Sequence, residues 1–242
     1  MPAEEEPRRR EETHRAKPAP SVPVMIDACL DRILGQRTGE RLLVAIVGPP
    51  GSGKSTLADA LCAELARHGA SSAVLPMDGF HYDDAILKAR GLMARKGSPE
   101  TFDIGGLGAL LGRLAQNDAP EIAVPVFDRA LEIARNAARL IPRQTEIVLV
   151  EGNYLLLDRP GWRDLSRHFG LTIALREAPD VLRARLMRRW RALRLPEGDA
   201  AAKVDANDMP NGLTVLQESR PAQITLAGTP SLARGHDARA AT

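Results

Sequence analysis

Cysteine, lysine and aromatic side chains are all scarce in this chain of 242 residues. Two cysteines, Cys29 and Cys62, exclude a disulfide-stapled scaffold and any zinc site built from cysteine alone. No apolar run approaches the roughly 18 residues that a membrane span needs. The opening stretch, MPAEEEPRRREETHR, has no apolar region and does not read as a secretory signal, so the cytoplasm is the expected compartment. An excess of one charge is also missing: 33 basic against 31 acidic residues leave a net +2, too balanced for general attraction to nucleic acid or membrane. Only five bases are lysine (17, 54, 88, 96 and 203); the other 28 are arginine. Hydrophobic residues at 44% and charged residues at 26% are ordinary for a globular protein. At about 150 residues per domain the length suits one large domain with tails or two small ones, and about 70% of the unfolded surface could be buried.

Residues 1–23 mix five acids, five bases and several prolines, and cannot bury enough apolar area to offset the entropy of ordering. They read as a disordered tail, and residues 229–242, with Ala, Arg, Gly and Pro and one short apolar pair, as a second. One domain, 24–228, is expected between them. There Leu42–Val47 is a continuous apolar run, the mark of a strand buried on both faces. Leu57, Leu61 and Leu65 follow at helical spacing, with Ala58 and Cys62 beside them as core fillers. Ser72–Pro76, Ile147–Val150 and Leu171–Leu175 read as further strands. Ile104–Ala115 reads as a helix capped by Asp103, and Val181–Leu195 as a long Arg-rich helix. Gly212–Leu226 is assigned one or two short strands. Such alternation implies an α/β fold: a three-layer sandwich of the phosphate-loop NTPase type, its mostly parallel sheet covered by helices on both faces.

Chemistry enters at Gly48-Pro49-Pro50-Gly51-Ser52-Gly53-Lys54-Ser55, which matches the phosphate-binding pattern G-x-x-x-x-G-K-[ST] between a buried strand and an amphipathic helix. Gly48, Gly51 and Gly53 let backbone N–H groups, that of Ser52 included, curl around phosphate oxygens without Cβ clashes. The helix behind them aims its free N–H groups and positive dipole end at the same anion. Lys54 supplies a mobile charge for the β- and γ-phosphates of ATP, Ser55 a hydroxyl ligand for Mg²⁺, and Thr56 a further donor. The same glycines do not fit the dinucleotide pattern G-x-G-x-x-G.

Parallel sheets place chemistry at the carboxyl ends of their strands. Asp78, just after Ser72–Pro76, would accept a hydrogen bond from an acceptor hydroxyl and aim its oxygen at the γ-phosphate. Its other reading is an Asp opening a turn before Gly79. Glu151, at the end of Ile147–Val150, is placed to hold Mg²⁺ through water. Six arginines crowd residues 183–194. Arg185, Arg188 and Arg189 share one helix face by their spacing, fit for a lid closing over phosphates; a solvated basic helix is the alternative.

With these residues in place, the sequence resembles the uridine kinase, phosphoribulokinase and bacterial pantothenate kinase group of phosphate-loop kinases. The resemblance spans roughly residues 42–226. Beyond the loop it rests on Asp78-Gly79-Phe80-His81, the segment Arg90–Asp103, Pro125-Val126-Phe127-Asp128-Arg129 and Glu151-Gly152-Asn153-Tyr154-Leu155-Leu156. It is most similar to bacterial kinases encoded with sugar transport. The resemblance implies that Asp78 occupies the catalytic acid position and Glu151 the second acidic one. It implies that His81, Tyr82 and Arg129 shape the acceptor pocket, with Phe102 and Asp128 in the same motifs. Uridine kinases carry an Arg-Asp pair in the lid, whereas here Arg189 is followed by Trp190-Arg191, which leaves the lid assignments open. Of only eight aromatics, Phe80, Tyr82, Phe102 and Phe127 fall in the acceptor segments, where they would serve a pocket wall or the core equally.

The expectation is therefore an ATP- and Mg²⁺-dependent kinase acting on a small-molecule hydroxyl, with neither nucleic acid nor membrane as partner and a homodimer left open. Sugars, nucleosides and pantothenate-like acceptors all stay open. A nucleotide-dependent switch is the rival class, disfavoured because a switch needs no acceptor segments.

Overall fold

A computed structural model of the chain describes residues 22–228. The expected tails therefore lie outside the described residues, apart from Val22 and Pro23, with which the first helix begins. In chain order the elements are α1 (Val22–Leu34), β1 (Leu42–Val47), α2 (Lys54–Arg67), β2 (Ser72–Pro76), α3 (Asp84–Ala89), α4 (Ile104–Gln116), β3 (Glu121–Asp128), β4 (Ile133–Pro142), β5 (Ile147–Gly152), β6 (Leu171–Arg176), α5 (Pro179–Ala192), α6 (Glu197–Lys203), α7 (Met209–Glu218) and β7 (Ile224–Ala227). Short 3₁₀ turns fill several connections, among them Met77–Phe80 directly after β2.

Five strands form one parallel sheet in the order β2-β5-β1-β6-β7, with β1 central. Alternation along β1 divides its side chains between two cores. Leu43, Ala45 and Val47 join α4 and the segment Tyr154–Leu157 on one face. Val44 and Ile46 join α1 and the Leu57, Leu61 and Leu65 stripe of α2 on the other. Cys29 and Cys62 both belong to this second core, where burial pushes their thiols up, that of Cys29 to about 11. A smaller apolar cluster of Leu186, Met187, Ala200 and Val204 holds α5 against α6 and its continuation, forming a separate lid layer.

Three features depart from the sequence expectation. Gly212–Glu218 is helical, within α7, and only Ile224–Leu226 of the expected strand region pairs in the sheet, as part of β7. Here α7 continues α6 through a π-helical turn at Val204–Asp208. Pro210 cannot donate to the preceding turn and its ring crowds that turn's carbonyl, so a wider turn accommodates it within one continuous helix. The Arg-rich helix runs from Pro179 to Ala192, two residues earlier than expected at its start and three at its end. Finally, β3 and β4 make an antiparallel hairpin that the sequence reading does not contain. Its register shifts between Val124 and Val126, around Pro125, which has no N–H to give the ladder.

Candidate active site

Register brings the site together. In the sheet Glu151 lies level with Ile46 of β1 and Pro76 of β2, so it sits beside the start of the phosphate loop and two residues short of Asp78. The loop's glycines are required by space and by backbone. A Cβ on Gly48 would come within 2.6 Å of the Ser52 hydroxyl and 2.9 Å of the Leu175 carbonyl. Gly51 and Gly53 are left-handed, with φ of 79° and 95°. Lys54 opens α2, its ammonium buried and donating to the Pro49 carbonyl at 3.1 Å. The Ser55 hydroxyl donates to Glu151 Oε1 at 3.1 Å, joining the loop to the carboxylate at the end of β5.

The charges of the site act on one another. Burial lowers the Lys54 pKa, opposed by Glu151 and Asp78 and reinforced by Arg189 and Arg129. Burial raises the pKa of Glu151, opposed by Lys54. For Asp78 burial also pushes upward, but His81, Arg129, Lys54 and Arg189 together hold its carboxyl below the ordinary value. Arg129, from the hairpin, donates to Asp78 Oδ2 at 2.9 Å. Gly79 permits that approach: a Cβ there would stand 2.7 Å from the Pro125 carbonyl.

Beside Asp78 the chain gathers aromatic rings. His81 Nδ1 lies 2.8 Å from the Asp78 carbonyl, which can only accept, so Nδ1 carries the proton. The imidazole packs 4.0 Å from Phe102 and 4.9 Å from Phe127, and burial lowers its pKa. Phe102 is itself core, edge-on to Tyr154 and Trp162. Tyr82 is half-buried beneath the Arg90 guanidinium, 4.5 Å from the ring centroid. Thr56, half-buried, stands in the first turn of α2. A cavity of about 460 Å³ opens between Gly79–Asp83, α4 and the hairpin, touching His81 and Tyr82 but neither Lys54 nor Asp78.

Two residues are held differently from expectation. Asp128 builds the hairpin turn: its Oδ1 accepts from the backbone N–H groups of Ala130 and Leu131, and its Oδ2 from Arg135. Arg188 is exposed, while its neighbours turn inward. Arg185 pairs with Glu177 at 3.0 Å and reaches the Gly51 carbonyl at 3.4 Å, and Arg189 acts on Lys54 and Asp78. Arg183 and Arg191 face α6 and its continuation, on Asp205 and Glu197.

The sequence reading missed a second tier. Tyr154 OH donates to the Gly97 carbonyl at 2.7 Å, and Asn207 Nδ2 to the Lys96 carbonyl at 2.8 Å. Tyr154 and Lys96 stood in quoted motifs, but nothing in local spacing marked them or Asn207 as partners. Among the described residues no group of three or more His, Cys, Asp or Glu is arranged to hold a metal. A cation here would rest on the Ser55 hydroxyl and Glu151, a hard-oxygen donor set that suits Mg²⁺ retaining most of its water. Among the described residues no helix is long and apolar enough to cross a membrane.

Known proteins resemble this chain in sequence and in fold. The family model for the methylmalonyl-CoA mutase-associated GTPase MeaB matches residues 17–93, the phosphate-loop part alone. An uncharacterized Escherichia coli protein is 34% identical, over 84% of this chain and 83% of its own. A Schizosaccharomyces pombe protein provisionally named a uridine kinase is also 34% identical, over 74% of this chain and 80% of its own. A Mycobacteroides abscessus pantothenate kinase is 35% identical, but over only 52% of this chain and 42% of the relative. Among solved structures, one from Silicibacter sp. TM1040, described provisionally as a fructose transport system kinase, is 40% identical. It covers 83% of this chain and 98% of the other, with a TM-score of 0.78.

Proposed function

Since the chain belongs to the phosphate-loop kinase family of these uridine and pantothenate kinase relatives, we propose that it transfers the γ-phosphoryl group of ATP to a hydroxyl of a small molecule, a sugar such as fructose or a nucleoside. The observation that carries this reading is the hydrogen bond from Ser55 to Glu151, which lies level with Pro76, two residues before Asp78. It joins an anion cradle to the strand ends beside a carboxylate that Arg129 of the hairpin meets.

Backbone N–H groups of Gly51, Gly53, Lys54, Ser55 and Thr56 at the α2 terminus would hold the triphosphate, with the Lys54 ammonium as its nearest mobile charge. The Ser52 N–H instead donates to the Pro49 carbonyl at 3.1 Å. Ser55 and Glu151 would hold Mg²⁺, which when bound neutralises charge on the phosphates. Asp78 receives the acceptor hydroxyl in place of its bond from Arg129 and turns the oxygen toward phosphorus. As the new O–P bond forms, the bond to the ADP oxygen breaks, and the hydroxyl proton passes to Asp78 and then to solvent. In a loose transition state this carboxylate contributes chiefly alignment. Arg189, and Arg185 beside Gly51, supply positive charge from the lid.

A coupled ADP-release screen over fructose, other sugars, ribonucleosides and pantothenate tests the reading. One alcohol should stimulate ADP release well above the rate with water alone. ATP hydrolysis that no hydroxyl compound stimulates would overturn it and favour a nucleotide-dependent switch, the alternative that the match at residues 17–93 supports. Preference for pantothenate would keep the kinase but replace the sugar or nucleoside.

A further inference from the structure

The turn between β3 and β4 breaks a local rule. Glu132 is left-handed, at φ 57°, in a hairpin position where glycine is the unstrained choice. Its carbonyl accepts a 2.6 Å hydrogen bond from the Lys96 ammonium. The same ammonium donates at 2.7 Å to Asp84 Oδ1 in α3 and lies 5.5 Å from the centre of the Phe127 ring in β3. The Lys96 side chain is only 18% exposed, and its own carbonyl is held by Asn207 of the π-helical turn. One residue thus joins α3, the hairpin tip and the lid layer.

We propose that Lys96 is a positioning residue that latches the hairpin tip over the acceptor side of the cleft, and so sets how tightly the acceptor alcohol is held. The latch acts through Phe127, which packs on His81, and through Arg129, which meets Asp78. Its chemistry explains the residue type. In a chain that uses arginine 28 times and lysine five, position 96 carries the compact charge with three freely rotating donors. Two acceptors from different elements and a ring face suit that group, whereas a planar guanidinium fork cannot meet them together. The effect on the alcohol rests on the kinase reading; the latch itself does not.

Lys96→Met, Lys96→Arg and Glu132→Gly in the full chain test this by amide hydrogen exchange and steady-state kinetics. Lys96→Met should speed exchange about tenfold or more at 128–133 while the strands of the parallel sheet stay unchanged. It should also raise the acceptor KM about tenfold while the ATP KM stays within about twofold. Lys96→Arg should restore only part of either effect. Glu132→Gly, which keeps the backbone carbonyl and relieves the left-handed strain, should leave both readouts near those of the unmodified chain. Unchanged exchange at the tip in Lys96→Met overturns the latch, as does faster exchange spread evenly over the sheet. Faster tip exchange with an unaltered acceptor KM overturns its role in holding the alcohol. If the unmodified chain turns over no alcohol, the kinase reading fails while the exchange result still decides the latch.

Discussion

Asp78 carries opposing influences, and their balance decides its protonation. Burial favours the neutral acid, but four facing cationic or basic groups outweigh it, so the carboxyl stays ionised below its ordinary range. Its folded value therefore lies below the unfolded one. This charge contributes to stability above the unfolded value of about 3.8, and the contribution is lost as pH falls through the folded value. Arg129→Ala removes one of the four and should move the carboxyl titration to higher pH. Carbon-13 NMR of the Asp78 carboxyl would read this directly, and the acid limb of kcat/KM should shift the same way. Asp78→Asn keeps the size but cannot take a proton. We expect kcat to drop about a hundredfold or more with ATP KM nearly unchanged. Parent-like turnover in that variant would remove Asp78 from the chemistry.

Among the elements, the hairpin contributes most and was hardest to foresee. Its first strand alternates as a strand should, Ile122 and Val124 buried between exposed neighbours, yet Pro125 interrupts it where a ladder bond belongs. Its second strand, IARNAARLIP, is mostly exposed and carries polar and small residues that give no apolar period. Contact with the turn after β2 makes the pair a site wall, and that contact depends on a glycine. Gly79→Ala should push the hairpin from Asp78, destabilise the fold by about 1–3 kcal/mol and raise the acceptor KM. Thermal unfolding alongside kinetics would check both; an unchanged acceptor KM would show that the wall tolerates displacement. Helix α7 carries no local helix signal for a related reason. Gly212 and Val215 look strand-like or neutral alone, but they pack a helix against other elements, with Gly212 3.4 Å (as a built Cβ) from Pro49 of the phosphate loop.

Across the whole molecule, the sheet's two cores fix the strand ends and hence the cleft. The α2 stripe that carries Lys54 at its start is anchored through Leu57, Leu61 and Leu65, all buried. Leu61→Ala leaves a cavity beneath that helix and should cost about 2–5 kcal/mol, measured by denaturant unfolding. A cost under 1 kcal/mol would mean that the helix resettles. The lid layer has its own small cluster and two exposed ion pairs, Arg183 with Asp205 and Arg191 with Glu197. Such pairs in solvent each contribute little, so the small apolar cluster carries most of what holds this layer.

The amino-acid order alone was enough to specify the phosphate loop, four strand segments of the parallel sheet and the α2 stripe. Each of these depends on neighbours within a turn or a strand length. Glycine's freedom, apolar continuity and helical spacing are local properties, so they survive without knowledge of the rest of the chain. Only the tertiary structure decided that Arg129 meets Asp78 across 51 positions, that Glu151 stands behind Ser55 across 96, and that Arg189 rather than Arg188 faces the cleft. Those meetings follow from strand order, from the rotation of α5 on its small core and from the hairpin's docking on Gly79. Packing of the entire chain sets all three, and no short window of residues encodes them.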